Sequence, residues 1–348
     1  MSAEAGTRPD AAPEVTPDPR ARAGGRLRRV RELSLVLALA ILVAVTAIDN
    51  PRFLDGQSLR DLLLGAAILV ILAVGQTVVI VTRSVDLSVG SVVGLVSFGV
   101  GKLFLAAPGT PVIVAVLVGI VAGAVCGLIN GSLVAAARVP ALVVTLGTLY
   151  IFRGIDYTWA SGQQINATDF PSGFLHLGTA DIVGVPVLAI IAAVVVAAAA
   201  WLLRAYRSGR EFYAIGSNPE AARLSGVPVG RRVLSAFILN GALAGLAGVL
   251  YAARFGTIDA TAGSGMELTV VAAAVIGGVA IFGGSGSVWG AALGALLLTV
   301  IGSALAVLRI NPFWQQAVVG ALILAAIGLD RLVAVRVAAR LRGDATHG

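Results

Sequence analysis

Long runs of apolar residues restrict this chain more than any other feature of its sequence. From Leu188 to Leu203 every side chain is apolar, and comparable runs recur along the whole chain. A helix that crosses a bilayer needs about 20 such residues. Strands of a membrane barrel would instead alternate apolar and polar side chains, which these runs do not. The sequence therefore predicts an all-α, polytopic membrane protein.

The composition excludes the common soluble classes. Apolar residues make up 58% and charged residues 12% of the chain, and the mean hydropathy is +0.95. A soluble protein carries about 25% charged residues, so a soluble enzyme or nucleic-acid binder is excluded despite the net charge of +7. One cysteine, Cys126, and two histidines leave no disulfide framework and argue against a metal cofactor.

About ten membrane spans are expected, and the pair around 268–308 is the hardest to delimit because the eighth run is the shortest. We expect residues 1–30 to form a disordered cytoplasmic tail, 31–332 the transmembrane domain with a long inner loop at 204–232, and 333–348 a second cytoplasmic tail. The candidate spans are 33–49, 62–82, 88–106, 111–134, 139–155, 185–203, 233–252, 268–282, 288–308 and 312–329.

Arginine placement predicts the orientation. With an even number of spans, most of the 25 basic residues fall on the side of both termini. They lie in the tails, at Arg83, at Arg138 and in the segment 204–232. Because basic residues concentrate on the cytoplasmic side, both termini are expected in the cytoplasm.

The inner loop 204–232 contains the pattern of a short capped helix. Asn218 is a good N-cap, Pro219 suits the first helical position, and Glu220 faces the positive end of the helix. Ser217 and Glu220 also have the spacing of a capping box. A helix this short is marginal alone in water, so we expect a partner to dock against it.

Three segments carry a family resemblance. AIGSNPEAARLSGVPVGRR resembles the coupling loop of ABC importer permeases of the ribose, xylose and arabinose group. TRSVDLSVGS is similar to that family's Gly-Ile-Asp-Leu-Ser-Val-Gly-Ser signature, with Asp86 to Gly90 in place. GGSGSVWGAALGALLLTVI, followed by NPFWQQAVVGALILAAIGLD, resembles its C-terminal block. Arg83 departs from the pattern, since the family usually has glycine there.

The resemblance implies an inner-membrane permease subunit that imports a monosaccharide such as ribose or another pentose or hexose. It implies three partners: an ATP-binding cassette ATPase, an extracytoplasmic solute-binding protein and a second permease subunit, identical or not. The chain itself would bind no cofactor, because ATP is bound by the partner. The coupling residues implied are Ser217, Asn218, Pro219, Glu220, Ala221, Ala222, Arg223, Leu224 and Gly226.

Other transporters remain as alternatives. Importers of autoinducer-2, a furanose-like signal, share the Asp-Leu-Ser-Val-Gly motif. Permeases for branched-chain amino acids or nucleosides usually lack it. A secondary carrier would usually place ionisable residues inside its spans, and here Asp86 and Lys102 are almost the only ones.

The chain is also expected not to hydrolyse ATP itself. A P-loop needs Gly-Lys-Ser/Thr, but the only lysine, Lys102, precedes Leu103. The glycine-rich segment Gly283–Gly290 is therefore interpreted as a tight turn between two spans.

Polar residues at membrane depth are the candidates for the translocation path. Asp86 either caps the third span through the Ser88 or Val89 amide or takes part in gating. Neutral polar side chains could line a path for a hydroxylated solute or simply bond neighbouring helices. The outer segments 156–184 and 254–267 are candidate contacts for the binding protein. The path candidates are Gln76, Asp86, Ser88, Asn130, Thr145 and Asn240.

Overall fold

The computed structural model describes residues 19–311, 313–326 and 328, and the described chain is almost entirely helical. Two short 3-10 helices, Pro51–Leu54 and Ala167–Asp169, and one small hairpin, β1 (Asp181–Ile182) with β2 (Val185–Pro186), interrupt the helices. The α-helices are α1 Pro19–Asp49, α2 Gly56–Val81, α3 Val89–Ala106, α4 Val112–Ala135, α5 Ala141–Ala160, α6 Ser172–Thr179, α7 Val187–Ala205, α8 Arg207–Ser217, α9 Pro219–Leu224, α10 Val229–Phe255, α11 Met266–Ile276, α12 Val288–Val307 and α13 Trp314–Ala326.

The all-α, multi-span prediction is confirmed, and each of the ten apolar runs overlaps a helix, although α11 ends at Ile276, before the end of the run 268–282. Seven helices of the described chain are both long and apolar enough to cross a membrane, namely α1, α2, α3, α4, α7, α10 and α12. The helix α5 is long but carries Arg153 and Asp156, whereas α11 and α13 are shorter than a full span. The count of about ten is therefore approximate.

The predicted tails are only partly within the described residues. Helix α1 begins at Pro19, so the backbone from 19 to 30 is helical. Residues 1–18 and the tail 333–348 lie outside the described residues, as does the expected end of the transmembrane domain at 332.

Helix α2 forms the centre of the bundle. Nearly every side chain from Leu64 to Val81 is buried, and α2 packs against α7, α10, α11 and α12. A helix that is apolar on all sides is stable only when other helices surround it. The polar side chains of Gln76 and Thr77, near its C-terminal end, are thereby held at the middle of the molecule.

Helices α4 and α10 pack antiparallel at backbone contact distance. A β-carbon added to Gly123 would lie 2.2 Å from the carbonyl oxygen of Gly241, and one on Gly127 would lie 2.2 Å from that of Phe237. Gly245 faces Gly119 in the same way. Small residues allow this approach, which in membranes replaces the hydrophobic effect as the source of helix association.

The periphery of the bundle is apolar and uncovered. On α4 the side chains of Ile113, Leu117, Val121 and Val125, one turn apart, are all exposed. This surface suits lipid rather than water, because acyl chains cover it without loss of hydrogen bonds.

Candidate functional site

The inner loop contains the expected capped helix, α9. The side chain of Asn218 accepts hydrogen bonds from the backbone N–H groups of Glu220 and Ala221, both at 3.1 Å, and Pro219 occupies the first helical position. Gly226, with φ of 79°, ends the helix in the left-handed conformation. The Ser217–Glu220 capping box is absent, because Ser217 is the last residue of α8 and Asn218 provides the cap.

One face of α9 is open. Leu224 is 89% exposed, and the charged side chains of Glu220 and Arg223, whose closest nitrogen–oxygen distance is 3.9 Å, project beside it. Ala222 is buried and turns the opposite face toward the bundle. A helix this short is marginal alone in water, so its open face is suited to docking on a protein partner.

Helix α8 was not predicted from the sequence. It is amphipathic, with Gly209, Phe212, Ile215 and Gly216 buried. The signal was the pair Phe212 and Ile215, three residues apart on one helical face, within a segment whose arginines were interpreted only as determinants of topology.

An ion-pair cluster fastens α8 to the base of α10. Glu211 accepts a hydrogen bond from Nε of Arg207 at 2.8 Å and another from Nε of Arg232. The Arg232 guanidinium, together with that of Arg207, holds the pKa of Glu211 below its usual value, although burial of the carboxylate opposes this. This ion pair links the start of α10 to α8.

Asp86 is the centre of a buried hydrogen-bond network. Its carboxylate accepts from the backbone N–H of Ser88 at 2.9 Å and from the Ser88 hydroxyl at 2.7 Å. It also accepts from the side-chain amides of Asn130 on α4, at 3.5 Å, and Asn240 on α10, at 2.9 Å. The Ser88 amide is one of the two expected to bond Asp86, but Ser88 itself is the N-cap of α3 and the helix has no side-chain cap, so Asp86 binds the residue before the helix.

The remaining path candidates join the same network. The Gln76 amide, oriented to satisfy both neighbours, donates to the Asp86 carbonyl at 3.2 Å and accepts from the Asp86 N–H at 3.1 Å. The hydroxyl of Thr145 on α5 donates to the carbonyl of Val85 at 3.1 Å. All six candidates are at most 2% exposed. The structure thus brings them together, closed to solvent within a single chain.

Residues 283–287 of the glycine-rich segment lie in the expected tight turn between α11 and α12, whereas residues 288–290 form the start of α12. Gly283 and Gly284 have φ of 82° and 78°, values that glycine adopts without strain. The hydroxyl of Tyr213 on α8 donates to the Gly286 carbonyl at 3.2 Å. This turn therefore lies against the segment that carries α9.

The outer segments differ from the expectation at their ends, because residues 156–160 continue α5 and residues 254–255 and 266–267 belong to α10 and α11. Asp156, predicted to begin the outer loop, lies inside α5 and is fully buried, 3.8 Å from Nη1 of Arg153. The same nitrogen donates to the carbonyls of Ala260 and Ala262, at 2.9 and 2.7 Å. Arg153 thus joins α5 to the loop that follows α10.

A bundle of apolar helices that presents one short, open helix on a basic inner loop defines a class of protein. It is that of a multi-pass membrane permease. Sequence comparison gives the family: residues 58–327 match the family described as branched-chain amino acid transport system / permease component. The chain belongs to this family of importer permeases, and the expectation of an ABC importer subunit in the inner membrane is confirmed.

Two curated relatives are autoinducer 2 import permeases by name. The chain is 39% identical over 304 residues to the autoinducer 2 import system permease protein LsrC of Enterobacter sp. (strain 638), covering 87% of this chain and 88% of the relative. It is 37% identical over 300 residues to the LsrC protein of Escherichia coli (strain K12 / DH10B), covering 86% of each. No solved structure is a significant match.

Proposed function

We propose that this chain is the translocating subunit of an ATP-driven importer for a small, uncharged, hydroxylated ring solute. The observation that carries the proposal is α9, a capped helix whose Leu224 is exposed where a partner can bind it. A permease of this family needs such a contact because its own chain is expected to lack a nucleotide-binding loop.

The solute is the second part of the proposal. The sequence placed a monosaccharide first and autoinducer-2 as the alternative. The relatives are named for autoinducer-2 import, which favours the alternative. Both solutes carry hydroxyl groups, which bind hydrogen-bond donors and acceptors rather than charges. The neutral side chains around Asp86 could supply such donors and acceptors.

The ATPase would drive transport through α9. Closure of an ATPase pair on ATP would pull on the segment from Ser217 to Gly226. The Glu211–Arg232 pair would pass that displacement to α10, which carries Asn240. The polar network around Asp86 would then open to the solute as helix α3 separates from the α4–α10 pair.

The proposal includes the remaining partners. A second permease subunit, identical or related, would complete the path, since the candidate residues are buried inside one chain. The solute-binding protein would contact the outer segments around 161–184 and 256–265. The chain would bind no cofactor itself, and ATP would remain on the ATPase.

Uptake by a reconstituted transporter tests the function. The permease, its ATPase and its binding protein are incorporated in proteoliposomes, and accumulation of autoinducer-2 and of ribose is measured. We expect ATP-dependent uptake of one of them that a protonophore leaves unchanged. Accumulation by vesicles that contain the permease alone would exclude the proposal.

Substitutions on α9 test the coupling assignment. We expect Leu224→Asp, Glu220→Arg and a glycine inserted at Ala222 each to abolish uptake while membrane insertion stays normal, because each alters the docked face or the helix itself. Leu54→Asp is the matched control, since Leu54 is 49% exposed in the 3-10 helix between α1 and α2, outside the segments proposed to contact either partner. Normal uptake by the α9 variants would contradict the assignment.

A further inference from the structure

Arg83 adopts a backbone conformation that normally selects glycine. Its φ of 65° is left-handed, where the β-carbon of an L-residue crowds the backbone. The residue lies between the end of α2 and Asp86, at the position where the resembling family usually has glycine. An arginine here must form interactions that offset this strain.

The Arg83 side chain supplies those interactions. Its Nε donates to the carbonyl of Gly216 at 2.6 Å, and Nη2 donates to the carbonyl of Ser217 at 2.7 Å. These are the final carbonyls of α8, which have no partners within the helix and lie at its negative end. Hydrogen bonds from a guanidinium are stronger than those between neutral groups. The next residue is Asn218, the cap of α9.

The backbone is closely packed around the two Arg83 hydrogen bonds, which we call the Arg83 clamp. A β-carbon on Gly216 would lie 1.8 Å from the Val81 carbonyl, and that carbonyl accepts from the N–H of Gly284 at 3.0 Å. The ends of α2 and α8 and the glycine turn therefore meet at one point. Because packed backbones do not deform continuously, a shift at the end of α8 also displaces the end of α2.

We propose that Arg83 is a positioning residue that transmits the movement of α9 to the segment 82–88, which holds Asp86. The proposal rests on the proposed function, in which α9 docks on the ATPase. It gives the transporter a second route from α9 to the polar network, through α2 and α3, besides the Glu211–Arg232 route through α10.

The variant Arg83→Gly tests whether Arg83 transmits movement or only stabilises the fold. Glycine adopts a φ of 65° readily, so this variant removes the clamp while relieving the backbone, and its melting temperature should not fall. Arg138→Gly is the matched control, because Arg138 is also left-handed, with φ of 57°, and exposed. Arg83→Lys, which keeps one cationic donor, tests rescue.

The assembled transporter in lipid nanodiscs and proteoliposomes provides the readouts. We expect Arg83→Gly to retain the ATPase and hydrolyse ATP as the wild type does. Uptake per ATP should fall about tenfold or more, because two charge-assisted hydrogen bonds are lost. Backbone hydrogen exchange is measured with and without ATP and vanadate, and this measurement needs no solute. In Arg83→Gly, the change in exchange on adding nucleotide should disappear at residues 82–88 and remain at α9. Arg83→Lys should recover part of the uptake per ATP and part of the exchange change at 82–88. Arg138→Gly should match the wild type in both measurements.

Several outcomes would overturn the proposal. Wild-type uptake and exchange in Arg83→Gly would exclude transmission through Arg83, and a lowered melting temperature or loss of the ATPase would make its role structural. Leu224→Asp keeps the two proposals apart: if that variant transports normally, docking through α9 is wrong whatever Arg83 does. If it fails while Arg83→Gly transports normally, only the transmission role is wrong.

Discussion

At the scale of single residues, Asp86 illustrates how a carboxylate is kept inside a membrane bundle. Four hydrogen bonds reach its two oxygens, from the backbone and hydroxyl of Ser88 and from the amides of Asn130 and Asn240. These donors replace water, whose loss would otherwise make a buried carboxylate costly. The same donors hold α3, α4 and α10 together.

Asp86→Asn should therefore destabilise the protein although it preserves size. The new NH₂ group would face donors, and at least one buried donor would lose its acceptor, which costs about 1–3 kcal/mol. We expect a lower free energy of unfolding in detergent micelles. The matched control is Asp55→Asn, since Asp55 is exposed and its side chain makes no cap hydrogen bond. Equal stability of the two variants would contradict the importance of the network.

Sequence predicts local residue roles better than distant ones. The Asn218 cap depends on the two amides that follow it, so the sequence suffices to predict it. Arg83 bonds to carbonyls 133 and 134 residues further along the chain, and nothing near Arg83 indicates that partner. The sequence predicted only that an arginine at this position is unusual.

At the scale of elements, the glycines of α4 and α10 determine how closely two helices approach. Gly123→Ala should separate them, because the new methyl group would lie 2.2 Å from the Gly241 carbonyl. Overpacking of this kind costs about 1–3 kcal/mol, which unfolding in detergent micelles would measure.

Gly154→Ala is the matched control for this prediction. Gly154 lies inside α5, and a β-carbon there would meet no atom within 4 Å. Because alanine favours helix by up to about 1 kcal/mol over glycine, this variant should be as stable as the wild type or more so. A similar loss of stability in both variants would show that close packing is not the cause.

Helices could be predicted from the sequence where a single periodicity or a single apolar run dominates the segment. All ten runs overlap a helix, although the run 268–282 was placed six residues too far along the chain at its end. Helix α8 was missed because its arginines obscured the apolar pair Phe212 and Ile215. The end of α5 was placed too early. Asp156 suggested a loop, but Arg153 and the packing of α5 on α3 allow the carboxylate to remain buried in the helix.

At the scale of the whole molecule, the number of crossings determines which surfaces meet which partner. An impermeant maleimide should label Ser225→Cys only from the cytoplasmic side and Ser172→Cys only from the outside, in a Cys126→Ala background. Both serines are exposed and α7 lies between them. A fluorescent protein fused to the C-terminus should fluoresce, as expected for a cytoplasmic end.

Labelling of both positions from one side would mean that α7 does not cross the membrane. The sequence could predict a multi-span protein because apolar runs need lipid, but it could not fix the number of crossings. Helices α11 and α13 are too short to be assigned by length, and α5 carries charges that only packing explains.

The glycine contact between α4 and α10 also limits how the protein can move. Each helix places backbone against backbone at successive turns, so a slide of less than one pitch, about 5.4 Å, would drive α-carbons into opposing carbonyls. The two helices therefore move together as one rigid body. Any bending during a transport cycle must therefore occur in the segments on either side of this helix pair.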